Sequence, residues 1–289
     1  MGSKVTAVEA IWGALEGVED TTRDQTRGVL TEWEAVVRAV IEAGMLAPMV
    51  PATNHGGACF VAAGPFLKRA LNDLRGIWLL LERGYSSQAA SVAASLYEHA
   101  LTAAVLASSE KLVAEARKTK YAEVPWSAKQ LAQLDARRAL EVQAKNGRKT
   151  TQKEFEDAWT ISYYHYKWLC QIKHPTWQSV YHDVRGALVT GTEYAVRPGP
   201  NNVAEDFHLK ACILGGSVAK VLEASKSFFL ALDADENSHE YSRFEVKANE
   251  AHFGVLKLMK PHQGKPSPIR ILDHSFIKTD FETLKRFDE

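Results

Sequence analysis

Hydrophobic positions recur along most of this chain with helical spacing, and alternating strand-type runs are almost absent. Between about Thr21 and Gly44, Val29, Leu30, Trp33, Val36, Val37, Val40 and Ile41 form the i, i+3, i+4, i+7 stripe of an amphipathic helix. A loop with Pro48, Pro51, Gly56 and Gly57 follows. Pro65 then opens a second helix carrying Leu67, Leu71, Leu74, Ile77, Leu80 and Leu81. Arg83-Gly84 closes it, glycine being the usual left-handed cap. Ser86 or Ser87 caps a third helix that reaches about Ser108. Its many alanines (Ala89, Ala90, Ala93, Ala94, Ala100, Ala103, Ala104) let another helix approach closely, and Glu98 and His99 lie in its middle.

From about Lys111 to Gly147 the pattern predicts one or two charged helices, broken at Pro125 and restarted at Trp126-Ser127. Thr150 or Thr151 starts an aromatic helix over Phe155 to His174, which Pro175 ends because the residue before proline is pushed out of the α region. A short segment, Trp177 to Ala187, a Gly/Pro loop from Thr190 to Asn202, and a last long helix over about Ala204 to Leu232 complete the body. Beyond Asp233 the pattern weakens. The expected organisation is an all-α helical bundle over residues 1–235, then a linker and C-terminal arm over 236–289. In that arm, Ile269, Ile271, Leu272, Phe276, Ile277, Phe281 and Leu284 dock on the body or on a partner.

Composition narrows the class of protein. The chain has 289 residues, 46% hydrophobic and 24% charged, which are ordinary globular values. Lys+Arg and Asp+Glu are both 35, so a polycationic or acidic tail-type chain is excluded. The zero sum conceals an asymmetry. Residues 1–50 hold four basic against eight acidic side chains, whereas Lys111–Lys153 hold eleven basic against four acidic, a local +7. Such a block can follow a nucleic-acid backbone or be a solvated face. Cys59, Cys170 and Cys212 are scattered and form no CxxC pair, which fits a reducing cytoplasm. No signal-type leader is evident, and Ser86–Ala107, interrupted by Gln88, Glu98 and His99, is too polar for a membrane span.

The phosphate-loop, dinucleotide, nucleophile-elbow and HExxH motifs are all missing. Chemistry is most plausible in the run Tyr163-Tyr164-His165-Tyr166-Lys167-Trp168-Leu169-Cys170-Gln171-Ile172-Lys173-His174-Pro175. At 100° per residue, Tyr163, Lys167, Cys170 and His174 share one face, with Lys167 and His174 about 10 Å apart along the axis. A cation and an imidazole on one face can bind a phosphate and move a proton. RNA cleavage needs both: a group to transfer the ribose 2′-OH proton and positive charge for the transition state. The helix C-terminus favours positive charge, so His174 suits an acid or a phosphate contact better than a base. Equally, aromatics at this spacing pack cores, and a histidine before proline can cap the last turn. A metal is not expected, since His165 and His174 point to opposite sides of the helix, and no cofactor is implied.

Leu79–Ala107 (LLLERGYSSQAASVAASLYEHALTAAVLA) and Tyr163–Pro175 (YYHYKWLCQIKHP) together resemble HEPN-type α-helical proteins, chiefly their uncharacterised and abortive-infection-like branches. Arg83-Gly84 at a helix junction, Glu98 within a small-residue helix, and Tyr166 to Pro175 carry the likeness, over less than a third of the chain. The resemblance implies a metal-independent endoribonuclease of a defence or toxin system, acting as a homodimer on RNA. It makes His174 the catalytic histidine. Lys167 stands where the family has arginine and Cys170 where it has serine; lysine keeps the charge but loses the bidentate fork to phosphate. The alternative is a non-catalytic helical dimerisation or binding module.

Glu98, costly if buried alone, is expected to pair with Arg83, Lys167 or His174. It then either orients the Lys-His pair or forms a structural ion pair with Arg83. His99 is expected to be a satisfied core or interface histidine. Catalytic candidates are therefore His174, Lys167 and Glu98, and binding candidates are Arg83, Tyr163, Tyr166, Lys173, Arg137 and Arg138.

Overall fold

The computed structural model describes residues 2–52, 57–119, 123–185, 188–190, 193–194, 198–201, 204–230, 232, 234–267 and 269. Among them are nine α-helices. These are α1 (Gly2–Leu46), α2 (Ala58–Glu82), α3 (Ser86–Ser108), α4 (Glu110–Ala116), α5 (Ala128–Lys145), α6 (Gln152–Lys173), α7 (Trp177–Arg185), α8 (Ala204–Leu230) and α9 (His239–Met259). Single 3-10 turns lie at Ala47–Met49 and Lys260–His262, and β1 (Leu188–Thr190) pairs antiparallel with β2 (Glu193–Tyr194). The protein is an all-α helical bundle.

α3 is the axis of the bundle. Its small residues allow α2, α8, α6 and α5 to pack around it, and 16 of its 23 residues are buried. Among the described helices it is the one long and apolar enough to cross a membrane, but the surrounding helices already cover its apolar surface. The main core joins α1, α2, α3, α6, α8 and α9. A smaller core (Tyr97, Leu101 and Val105 of α3, Leu131 and Ala132 of α5, Trp159 of α6) holds the α5–α6 hairpin against the axis.

Most helix ends follow from local chemistry. Gly84 adopts φ 86° after α2. A Cβ there would also meet the Asn201 carbonyl oxygen at 3.0 Å, so both conformation and space select glycine. Ser127 and Thr151 start α5 and α6 with full capping boxes through Gln130 and Glu154. Ser127→Ala and Thr151→Ala should each cost about 1 kcal/mol in urea unfolding; an unchanged midpoint would refute the capping role.

Four elements differ from the sequence pattern. α3 has Tyr85 at its N-cap with no side-chain cap, and Ser86 and Ser87, expected as caps, lie inside its first turn. α1 begins at Gly2 rather than near Thr21, kinking at Leu30. Pro65 lies inside α2, which starts seven residues earlier, at Ala58. The weakly patterned stretch after Asp233 contains a full helix, α9, which lies along α1. There Gly254 admits Val36 so closely that a Cβ would meet it at 2.5 Å. Of the arm's expected docking residues Ile269 is placed: it is buried, and its carbonyl accepts the Trp168 indole N–H at 3.0 Å. Ile271, Leu272, Phe276, Ile277, Phe281 and Leu284 lie outside the described residues.

Candidate functional site

α6 delivers His174 to the surface. Its backbone N–H closes the helix on the Cys170 carbonyl at 2.9 Å, and its φ/ψ of −76°/149° turns the chain into extended geometry before Pro175. The imidazole is exposed and has no hydrogen-bond or ion-pair partner among the described residues. Lys173 beside it is exposed, and Lys167 is half-buried two turns upstream.

Glu98 faces this helix from α3, but not as its sequence context implies. It is exposed rather than buried, and it accepts the Tyr166 hydroxyl at 2.6 Å. At the solvated rim a carboxylate needs no cation, and a phenol satisfies it. The Tyr166 ring also lies 5.1 Å from Tyr97 and 5.9 Å from Tyr163, so Tyr163 and Tyr166 form an aromatic ledge with Glu98 at its edge. Burial, reinforced by Glu98, raises the Tyr166 phenol well above its ordinary value, keeping it a donor. Burial likewise raises the Cys170 thiol, so it is not a thiolate nucleophile.

Arg83 pairs with Glu19 of α1 at 3.1 Å and not with Glu98. Tyr85 donates to the same carboxylate, and burial, then Glu19, pushes its phenol up to about 12. Arg83 therefore clamps α1 to the α2–α3 junction. His99 is satisfied by Asp73, Nδ1 to Oδ2 at 2.7 Å.

The basic block divides. Arg138 is bound to Asp135 at 2.8 Å, both side chains largely covered. Arg137 is exposed and lies over the Phe155 ring at 5.7 Å. Lys145, Lys149 and Lys153 are exposed around the α5–α6 turn, while Arg148 pairs with Glu154 at 2.9 Å. Arg137 and the hairpin tip remain available to an anion.

A second polar constellation lies behind α7, and the sequence reading missed it. Asp206 and Lys210 on α8 are fully buried and paired at 3.0 Å. Asp206 also accepts from Ser86 at 2.8 Å and meets His182 Nε2 at 3.1 Å. Lys210 reaches Thr26 of α1 at 3.4 Å. Burial lowers the Lys210 ammonium against the opposing pull of Asp206. Asn201 donates to the His182 carbonyl at 2.9 Å, and Ser87 donates to Asp183 at 2.6 Å. Ser86 contacts the carboxylate rather than the imidazole, so the group is not a nucleophile–base arrangement. It locks α7 to the body. The one local signal was the Asp206 and Lys210 pair at i, i+4 in the first turns of α8. Among the described residues no group of three or more His, Cys, Asp or Glu side chains is arranged to hold a metal ion.

Fold and site together define a helical bundle that presents an aromatic, Lys-His helix end, with a basic hairpin tip at the opposite end of the same helix, about 30 Å away. No protein-family model, no curated protein and no solved structure matches this chain.

Proposed function

We propose that this chain is a HEPN-like, RNA-acting homodimer of the cytoplasm, a metal-independent endoribonuclease of a defence or toxin system. His174 is its proton-transfer group, and Lys167 and Lys173 are its phosphate contacts. The observation that carries the reading is the exposed His174 imidazole, without a partner among the described residues, at the end of a helix that also bears those two lysines. In cleavage the ribose 2′-oxygen attacks the phosphorus. The 2′-OH proton is lost, and the departing 5′-oxygen gains one, leaving a 2′,3′-cyclic phosphate and a 5′-hydroxyl. Arg137 and the lysines of the α5–α6 turn form a second positive patch at the far end of α6, about 30 Å away along the helix, for a strand several nucleotides long. The Tyr163–Tyr166 ledge and the HEPN resemblance support the same site; Arg83 and Arg138, spent on Glu19 and Asp135, drop out of it.

A second reading, a binding module without catalysis, is favoured by Glu98 being held by Tyr166 instead of orienting His174. Incubation of the purified full chain with labelled single-stranded RNA tests the two. Under the first, RNA is bound in a salt-dependent way and cut, and His174→Ala slows cutting at least about a hundredfold while the helical circular dichroism is retained. RNA that is bound but still intact after prolonged incubation overturns the catalytic role in favour of the second.

A further inference from the structure

α7 is inside out. Its buried positions are polar, Ser179 at 4% and His182 at 3% exposure. Its large apolar side chains face solvent: Trp177 at 77%, Tyr181 at 62% and Val180 at 42%. A surface helix that only closes a fold does the reverse. Burying Trp177 would gain more than burying Ser179, so the arrangement persists because the polar face is tied down. Ser179 donates to the His174 carbonyl at 2.8 Å, His182 is bound to Asp206, and Asn201 holds the His182 carbonyl. With α7 fixed this way, its aromatics cannot rotate into the core. Trp177 and Tyr181, one turn apart, stack on each other with ring centroids 5.8 Å apart and planes 28° apart. The pair is presented as a unit.

The turn joining this pair to His174 is also fixed. Thr176 N–H donates to the His174 carbonyl at 2.7 Å, and Ser179 N–H donates to the Thr176 hydroxyl at 3.2 Å. Two residues, Pro175 and Thr176, thus separate an exposed imidazole from an exposed indole with little freedom between them. Cations flank the aromatics: Lys173 before the turn and Arg185 at the end of α7, both exposed. Asp183, the acidic residue on the same helix, is engaged by Ser87. Rigid exposed aromatics next to cations are what a single strand requires, with bases stacking on rings and phosphates meeting positive charge. A protein partner would use the aromatics but has no need of the flanking cations.

We propose that Trp177 and Tyr181 form a base-stacking platform for unpaired nucleotides of single-stranded RNA, placing the adjoining phosphate beside Lys173 and His174. The inference rests on the RNA-acting reading and supplies its substrate class, single-stranded rather than duplex RNA. With seven tryptophans in the chain, intrinsic fluorescence is a poor reporter. The probe is fluorescein-labelled oligouridylate, followed by anisotropy over a salt series with the full-length protein. Trp177→Ala should weaken binding roughly ten- to hundredfold and leave the slope of affinity against salt unchanged. Trp177→Phe should recover most of the loss. Lys173→Ala should lower the slope by about 0.7, one phosphate contact. RNA duplex binding should not respond to Trp177→Ala. If wild-type protein binds the oligomer and Trp177→Ala binds it equally, the platform is refuted while the RNA-acting reading stands. If wild-type protein binds no RNA, both fall. If Trp177→Ala instead abolishes self-association in sedimentation and leaves RNA affinity intact, the face is an interface between copies and the platform is refuted.

Discussion

Asp206→Ala is expected to cost about 3–5 kcal/mol of unfolding free energy, among the largest losses any single substitution in this chain should produce. The carboxylate is fully buried and balances the equally buried Lys210 ammonium. It also accepts from Ser86 and meets His182. Removing it leaves a cation without a countercharge, in contact with the Thr26 hydroxyl at 3.4 Å and the Phe207 ring at 5.0 Å, and it orphans two further groups at once. Replacing both charges, Asp206→Leu with Lys210→Met, should cost far less, because a buried pair contributes little net stability once its desolvation is counted. Urea unfolding of both variants checks this. A single-variant cost below about 1 kcal/mol would show that the cluster does not hold α7 and α8 together.

A second large effect is a loss of stability in mild acid. His165 on α6 packs its ring against Gly216 of α8 so tightly that a Cβ there would come within 1.9 Å of Nε2. That nitrogen is buried without a hydrogen-bond partner. Burial, and secondarily the Lys220 ammonium, pushes the imidazole down to about 4 from an ordinary 6.5. The folded state therefore holds His165 neutral while the unfolded chain protonates it. The stability this represents is fully present above pH 6.5 and is lost as pH falls from 6.5 toward 4, about 3 kcal/mol over the whole interval. His165→Leu should flatten the decline between pH 7 and pH 4.5. Equal acid sensitivity in the variant would place the titration elsewhere. Gly216→Ala, which drives a methyl group into the ring, should destabilise at every pH by about 1–3 kcal/mol.

The helix boundaries were legible because their causes are local. Gly84, Ser127, Thr151 and Pro175 act on backbone groups within four residues of themselves, and each ends or starts a helix where its chemistry requires. The smallness of α3 likewise announced a helix that others surround. Pro65 misled because a proline reads as a start signal, whereas α2 carries it in its interior. α9 was missed because only Phe244, Ala248, Ala251 and Val255 of its 21 residues are buried, a stripe too narrow to stand out from the charged residues around it.

At the candidate site the sequence pointed to the helix end but not to the partners. His174 was visible as a histidine before proline; it is exposed and is the C-cap residue of α6, the structural role that reading also allowed. The partner of Glu98 was not legible. In an alanine-rich helix a carboxylate reads as buried, and only the packing of α6 against α3 shows its position to be a solvated rim where a tyrosine suffices. α7 was readable as a short segment and nothing more. Trp177, Val180 and Tyr181 form an apolar stripe that any periodicity argument sends inward, and tertiary hydrogen bonds send it outward.

The sequence by itself determined an all-α bundle, most of its helix ends, the small-residue axis α3 and the charge asymmetry between the acidic N-terminal segment and the basic α5–α6 hairpin. These follow from interactions within about one helical turn, or from simple sums over residues. The tertiary structure alone decided that the Asp206–Lys210 pair is buried and which distant groups it meets, which face of α7 is wet and whether Glu98 needs a cation. Asp206 finds Ser86 across 120 residues, and Lys210 finds Thr26 across 184. No local pattern encodes such pairings. They arise because a charge removed from water must be compensated by whatever the packed helices bring beside it.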